Sequence, residues 1–231
     1  KGRSGMSTKD EDFVNEVFVV NSLTPILFFS SRGIVYRLKT YKLPIGTPQS
    51  KGKALINLLP LKSDEKITTL MPYIVGEKNN NIIFATSNGN VRRNKLSDFQ
   101  NINANGKIAM KLSENDRLVN VITCSEGSHV FLSTKLGKCI RFIANNVRLF
   151  SGRSSIGVRG IKLQKNDSVI SLAILNDITF DVQERDNYLK VSNQIRRKEE
   201  YDNKLVPIDK LDILKENEEF ILSVTDKGHG K

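Results

Sequence analysis

Tryptophan is absent from these 231 residues, and histidine and cysteine occur only twice each. The two histidines, His129 and His229, have no nucleophile or metal-binding partner at motif spacing, which argues against histidine-based catalysis and zinc coordination. The cysteines, Cys124 and Cys139, lie inside predicted strands. Their spacing fits neither a disulfide framework nor a metal site, so two free thiols are expected. No run approaches ~18 consecutive apolar residues, so no membrane-spanning helix is predicted. The N-terminus lacks the pattern of a secretory signal. It opens on Lys1 rather than methionine, so the chain is expected to be part of a longer polypeptide. Aromatics make up 7% of the chain, too few for a platform on which single-stranded bases would stack.

What is present in excess is positive charge, with 36 Lys/Arg against 25 Asp/Glu and a net of +11. The excess is uneven. Residues 1–175 hold 26 cations and 12 acids, a net of +14, whereas residues 176–231 hold 10 and 13, a net of −3. A basic body favours a polyanionic partner.

A repeat organises the basic part. The phrase Ser/Thr-x-x-Gly recurs with glycines at 33, 89, 137 and 228, spaced 56, 48 and 91 apart. A glycine six residues before a leucine follows (Gly52 to Leu58, Gly106 to Leu112, Gly157 to Leu163), then an acid at Glu65, Asp116 or Asp167. Short apolar or β-branched runs enter each tip at Ile26–Phe29, Ile82–Ala85, His129–Leu132 and Phe220–Val224. Others leave it at Val35–Lys39, Val91–Lys95 and Cys139–Ile143. Third strands are predicted at Ala54–Leu58, Ile108–Leu112 and Gly160–Leu163, and fourth strands at Ile67–Val75, Leu118–Thr123 and Val169–Leu175. Four strands per ~50 residues indicate an all-β, propeller-like fold. A tip glycine supplies the positive φ that a tight hairpin needs. The acids recur once per repeat, which fits a turn role better than a general acid.

Each of the first three tips is followed, four residues past its glycine, by an arginine: Arg37, Arg93 and Arg141. Lys39 and Lys95 lie two residues further on the same strand face. Arg32, Lys42, Arg92, Lys138 and Arg148 thicken this set, and Lys51, Lys53, Lys107, Arg153 and Arg159 form a second set near the second glycine. Cations at equivalent positions of stacked blades would line one rim and neutralise successive phosphates of a duplex. The competing reading is that they are solvated strand-edge charges that discourage edge pairing. No helix-turn-helix, zinc-finger or basic-zipper pattern is present, so base-specific reading is not expected.

Residues 176–219 break the repeat. Tyr188, Val191 and Ile195 fall at i, i+3 and i+7, which predicts a helix. Pro207 followed by Ile208, Leu211 and Leu214 predicts a second. This acidic stretch is either a solvated insertion or an electrostatic competitor of DNA for the basic surface. The predicted organisation is therefore a linker over 1–12, three blades over 13–175, the insertion over 176–219 and the start of a fourth blade over 220–231.

Stretches in three of the repeats resemble the C-terminal domain of bacterial DNA gyrase A subunits. They are Ile26-Leu27-Phe28-Phe29-Ser30-Ser31-Arg32-Gly33 with Ile56-Asn57-Leu58-Leu59-Pro60-Leu61; Gly106-Lys107-Ile108-Ala109-Met110-Lys111-Leu112; and Gly157-Val158-Arg159-Gly160-Ile161-Lys162-Leu163. Lys1-Gly2 matches the tail of that family's Gln-Arg-Arg-Gly-Gly-Lys-Gly box. The resemblance implies a six-bladed β-pinwheel, of which three blades and part of a fourth are present. It implies wrapping of duplex DNA by a non-catalytic module of a cytoplasmic, ATP-dependent type II topoisomerase. ATP and Mg2+ would be used elsewhere in an assembly of two A and two B subunits, with no cofactor in this part. The related topoisomerase IV subunit, and a propeller-like protein-interaction module, are the alternative readings.

Overall fold

A computed structural model describes residues 13–47, 50–74, 81–176, 181–200, 205–206 and 208–230. The predicted linker at 1–12, Val75 and Tyr201 lie outside them. Two compact units divide the chain, Lys1–Ile174 and Leu175–Lys231.

Among the described residues the first unit is built from twelve strands, the last of which runs one residue past its boundary. They are β1 Pro25–Ser30, β2 Ile34–Lys39, β3 Ile67–Pro72, β4 Asn81–Thr86, β5 Asn90–Lys95 and β6 Lys107–Ile108, then β7 Leu118–Cys124, β8 His129–Thr134, β9 Cys139–Ile143, β10 Leu149–Phe150, β11 Val158–Arg159 and β12 Val169–Leu175. They form three sheets, in the orders β3-β1-β2-β6, β10-β5-β4-β7 with β11 also on β5, and β12-β8-β9. The second and third blades thus keep their first, second and fourth strands and give their third to the sheet before them. Ile34 pairs with Ile108 and Val91 with Val158, both antiparallel.

These third strands are shorter and lie earlier than predicted, β6 sharing only Ile108 with the expected Ile108–Leu112 and β11 ending before the expected Gly160–Leu163, and the reason they stop repeats. The N–H groups of Ala109 and Met110 both donate to the Gly33 carbonyl, and those of Gly160 and Ile161 both donate to that of Gly89. Two donors converging on one tip carbonyl end the ladder. In the first blade the predicted strand Ala54–Leu58 is instead a 3-10 turn, Leu55–Asn57. A third strand forms on the open edge of a preceding hairpin, and no such hairpin precedes this one among the described residues.

The four tips share one local geometry. The hydroxyls of Ser30, Thr86, Thr134 and Thr225 accept from the N–H four residues on, at 3.3, 3.2, 3.1 and 3.1 Å. The tip glycines have φ of +71, +83, +84 and +78°. A bulge falls at Phe29/Ser30 and again at Ala85/Thr86.

The core lies between blades. On β4, Ile82 and Phe84 point into a cluster with Leu27, Phe29 and Phe99, while Ile83 and Ala85 point into one with Val130, Leu132 and Val169. This two-faced burial explains the near-continuous apolar run of β4. Phe29, Phe84 and Phe99 pack with ring centroids 5.6–5.8 Å apart. By contrast β8 alternates buried with half-buried residues.

In the second unit α1 (Val182–Arg197) starts on a capping box, with the Asp181 carboxylate accepting from Glu184 N–H at 2.8 Å and Glu184 accepting from Asp181 N–H. It ends at Lys198, φ 59°. Tyr188 and Val191 pack with Val206 and with Leu211 and Leu214 of α2 (Ile208–Glu216). Ile195, predicted to belong to the apolar stripe, is 39% exposed. Ser192, on the same side as Tyr188 at i+4, takes the buried place. Phe220–Val224, predicted as a strand, makes only a bridge between Val224 and Gly230 among the described residues.

Candidate nucleic-acid interface

The cations predicted to line a rim separate into two groups. Nine are exposed: Lys39, Lys42, Lys51, Lys53, Lys95, Lys138, Arg141, Arg148 and Arg159. Arg148 stacks its guanidinium 4.2 Å from the Phe150 ring centroid, and Lys39 lies 5.9 Å from that of Tyr41. Neither contact occupies the polar faces of the cation. Arg32 is also exposed but donates to Asp64 at 2.9 Å. Such a surface pair is worth under about 1 kcal/mol, so it does not remove Arg32 from contention.

The second group is turned inward. Arg92 is wholly buried, and its Nη1 donates to the carbonyls of Arg153 at 2.6 Å and Ser155 at 3.1 Å. Burial pushes its guanidinium down to about 10, Asp98 opposing the fall and Arg153 adding to it. Arg93 is 4% exposed; its Nε donates to the Val147 carbonyl at 2.8 Å and its Nη2 to Asn145 Oδ1 at 2.9 Å. The expectation that Arg92 and Arg93 face phosphates is therefore corrected. Strand β5 is covered on one edge by β4 and on the other by β10 and β11, and the long side chains turn into the seam between blades. Arg37 is half-buried beside Tyr73, with its Nε enclosed. Lys107 and Arg153 are half-buried, and Lys107 Nζ donates to the Asn101 carbonyl at 3.0 Å. Of the three equivalent arginines, only Arg141 stands in solvent, because β9 pairs with β8 alone among the described residues.

Four further cations, absent from both predicted sets, join the candidate surface: Lys62, Lys66, Lys111 and Arg117, all exposed. Lys62, Lys107 and Lys111 line a cleft of about 480 Å³ together with Arg32, Tyr36 and Glu65. Lys66 and Arg117 line another of about 460 Å³ with Arg32, Asp64 and Asp116. Their sequence signal was position: Lys66 and Arg117 directly follow the repeated acid.

That acid is a latch. Asp116 accepts from the Ser87 hydroxyl and the Asn88 N–H, both at 2.9 Å, and Asp167 from the Leu136 N–H at 3.0 Å. Partial burial opposes ionisation of Asp167, but the Leu136 N–H, the Thr134 hydroxyl and the Ser168 N–H outweigh it and hold its carboxyl below the usual range. In the first blade Glu65 accepts instead from the Tyr36 hydroxyl at 2.9 Å. Burial first, then the Glu65 hydrogen bond and charge, push Tyr36 up to about 12, against the pull of Arg32. No group of three or more His, Cys, Asp or Glu among the described residues is arranged to hold a metal.

Repeated antiparallel blades that exchange a strand, with cations on their exposed edges, define a β-propeller of the pinwheel type. The chain belongs to the DNA gyrase C-terminal domain family, whose β-propeller model matches residues 1–21, 24–73, 80–125 and 128–176. It is 46% identical to the DNA gyrase A protein of Rickettsia bellii over its whole length and spans 27% of that relative. It is 40% identical to the Escherichia coli gyrase A protein over 75% of its length and 20% of that relative's. In fold it is similar to a solved C-terminal domain of DNA topoisomerase IV, with a TM-score of 0.67 and 23% identity over 74% of this chain and 53% of that one. It is likewise similar to a DNA gyrase A C-terminal domain, with a TM-score of 0.56 and 22% identity over 75% and 56%.

Proposed function

We propose that this chain is the part of a gyrase A protein that binds duplex DNA without reading its sequence and bends it along the first unit. The observation that carries this reading is the set of nine exposed cations, from Lys39 to Arg159, none of which forms a salt bridge among the described residues, although Lys138 lies in the field of Asp167. Interactions of this kind position a duplex through its phosphates and carry no base information. In the whole enzyme, built with the rest of the gyrase A protein and with its B partner, the bent segment would be presented for strand passage. ATP and Mg2+ would act there and not in this chain. The alternative of a surface for an acidic protein predicts little duplex affinity at moderate salt.

The test is a titration of duplex binding against salt for the chain and for a variant with Lys95, Lys138, Arg141 and Arg148 changed to Gln. Removing one neutralised phosphate should flatten the slope of log K against log salt by about 0.9. The variant should also lose the preference for ~100 over ~20 base pairs that bending confers. An unchanged slope would remove these cations from the interface.

A further inference from the structure

One copy of the arginine that follows the tip glycines, Arg93, has a use other than DNA contact. Three consecutive side chains of β5 reach across to one continuous stretch of the third blade. Arg93 holds Val147 and Asn145; Arg92 holds the carbonyls of Arg153 and Ser155. Asn94 Nδ2 donates to the carbonyls of Phe150 at 2.9 Å and Gly152 at 3.1 Å. The backbone follows the same path, with Leu149 and Phe150 pairing in parallel with Arg93 and Asn94. Five of the six acceptors are main-chain carbonyls, so the grip fixes where the loop runs and not only what its side chains do. Arg93 sits at its centre. Its planar fork engages the turn Ala144–Asn146 from the side chain of Asn145 and the carbonyl just beyond it. At 4% exposure, no phosphate oxygen reaches it unless the blades part.

We infer that Arg93 is a positioning residue that sets the angle between the second and third blades and, through that angle, the path of a bound duplex. This rests on the DNA-bending reading above. A phosphate ligand and a blade clamp are separated by what their removal does. Removing a phosphate ligand flattens the salt dependence and leaves the path intact. Removing a clamp leaves the salt dependence and changes the path.

The experiment uses the full chain and four variants. Arg93→Lys keeps the charge but not the two-nitrogen fork, and Arg93→Gln removes the charge as well. Asn145→Ala removes the acceptor from the exposed side, where folding is not at stake. Asn145→Asp restores an acceptor while adding negative charge. Each is bound to nicked plasmid, the nicks are ligated, and the linking-number change per bound protein is read beside the salt slope. Arg93→Lys and Asn145→Ala should trap at most half the wild-type change with an unaltered slope, whereas Asn145→Asp should match wild type. A simple surface-charge effect gives the opposite order, with Asn145→Asp the worst. The inference is overturned if Asn145→Ala traps as much as wild type, or if Arg93→Gln lowers the slope by about 0.9, as a phosphate ligand would. Hydrogen exchange without DNA reads the clamp independently of the bending reading. Amides 144–150 should exchange faster in Arg93→Lys and Asn145→Ala, and equal rates overturn the clamp. A wild-type chain that traps no linking-number change defeats the functional reading alone.

Discussion

Gly89 and Gly137 carry the same left-handed backbone, φ +83 and +84°, for different surroundings. A Cβ on Gly89 would lie 2.8 Å from the Ile161 carbonyl oxygen, whereas one on Gly137 meets nothing within 4 Å. Gly137→Ala should therefore cost only the backbone strain, about 1 kcal/mol. Gly89→Ala must in addition displace the third blade's backbone and should cost about 3 kcal/mol, in the range of overpacked cores. Urea denaturation of the two variants measures the difference, and equal losses would contradict the close approach of the blades. Tyr36 gives a second test at this scale. Its folded pKa is about 12 against 10 when unfolded. Between those values the unfolded chain has lost the proton and the folded chain keeps it, so this contribution to stability is whole below pH 10 and falls as pH rises toward 12. Tyr36→Phe should be less stable near neutrality by about 1 kcal/mol, the worth of one hydrogen bond. It should also lose less stability than wild type over that alkaline window; parallel curves would refute the shift.

At the scale of elements, what was legible in the sequence was local. The tips were readable because a hydroxyl, a glycine and the N–H between and beyond them close one turn within five residues. Strands β1, β4 and β8 were readable as apolar runs, and both helices of the second unit from their spacing. The exchanged strands were not readable in length or partner, because Ile34 and Ile108 are 74 positions apart and nothing local marks their pairing. The same blindness misplaced Arg93. Periodicity assigns a residue to a face of a strand, but what covers that face is decided by another blade. Arg93 and Arg141 occupy one position in the repeat, yet β5 has partners on both edges and β9 on one. Position in the repeat fixed the direction of the side chain; the neighbour fixed whether it met carbonyls or solvent. The candidate surface was accordingly legible as a charge excess and in most of its exposed cations, Arg141, Arg148 and Arg159 among them, and illegible where another blade covers the side chain, as at Arg92 and Arg93.

At the scale of the whole molecule the question is whether the acidic second unit opposes DNA binding by the basic first. Its net charge of −3 stands against +14, and five of its ten described acids, Asp181, Glu184, Asp186, Glu218 and Glu219, are engaged within the unit. Glu184 caps α1 and pairs with Lys210, Glu218 holds Arg196 and Tyr188, and Glu219 holds Asn176. A competitor for a phosphate-binding surface needs free carboxylates at high local density, and half of the described acids are instead engaged within this unit. What remains is a weak field, screened over about 8 Å at physiological ionic strength. Deleting residues 178–218 should thus change duplex affinity by less than about twofold at ~0.15 M salt. A larger effect is expected only near ~0.01 M, where the screening length reaches about 30 Å. Fluorescence anisotropy with a labelled duplex at the two salt concentrations measures both. A tenfold gain in affinity at the higher salt would restore the acidic unit as a competitor, because only direct occupation of the basic surface survives that screening.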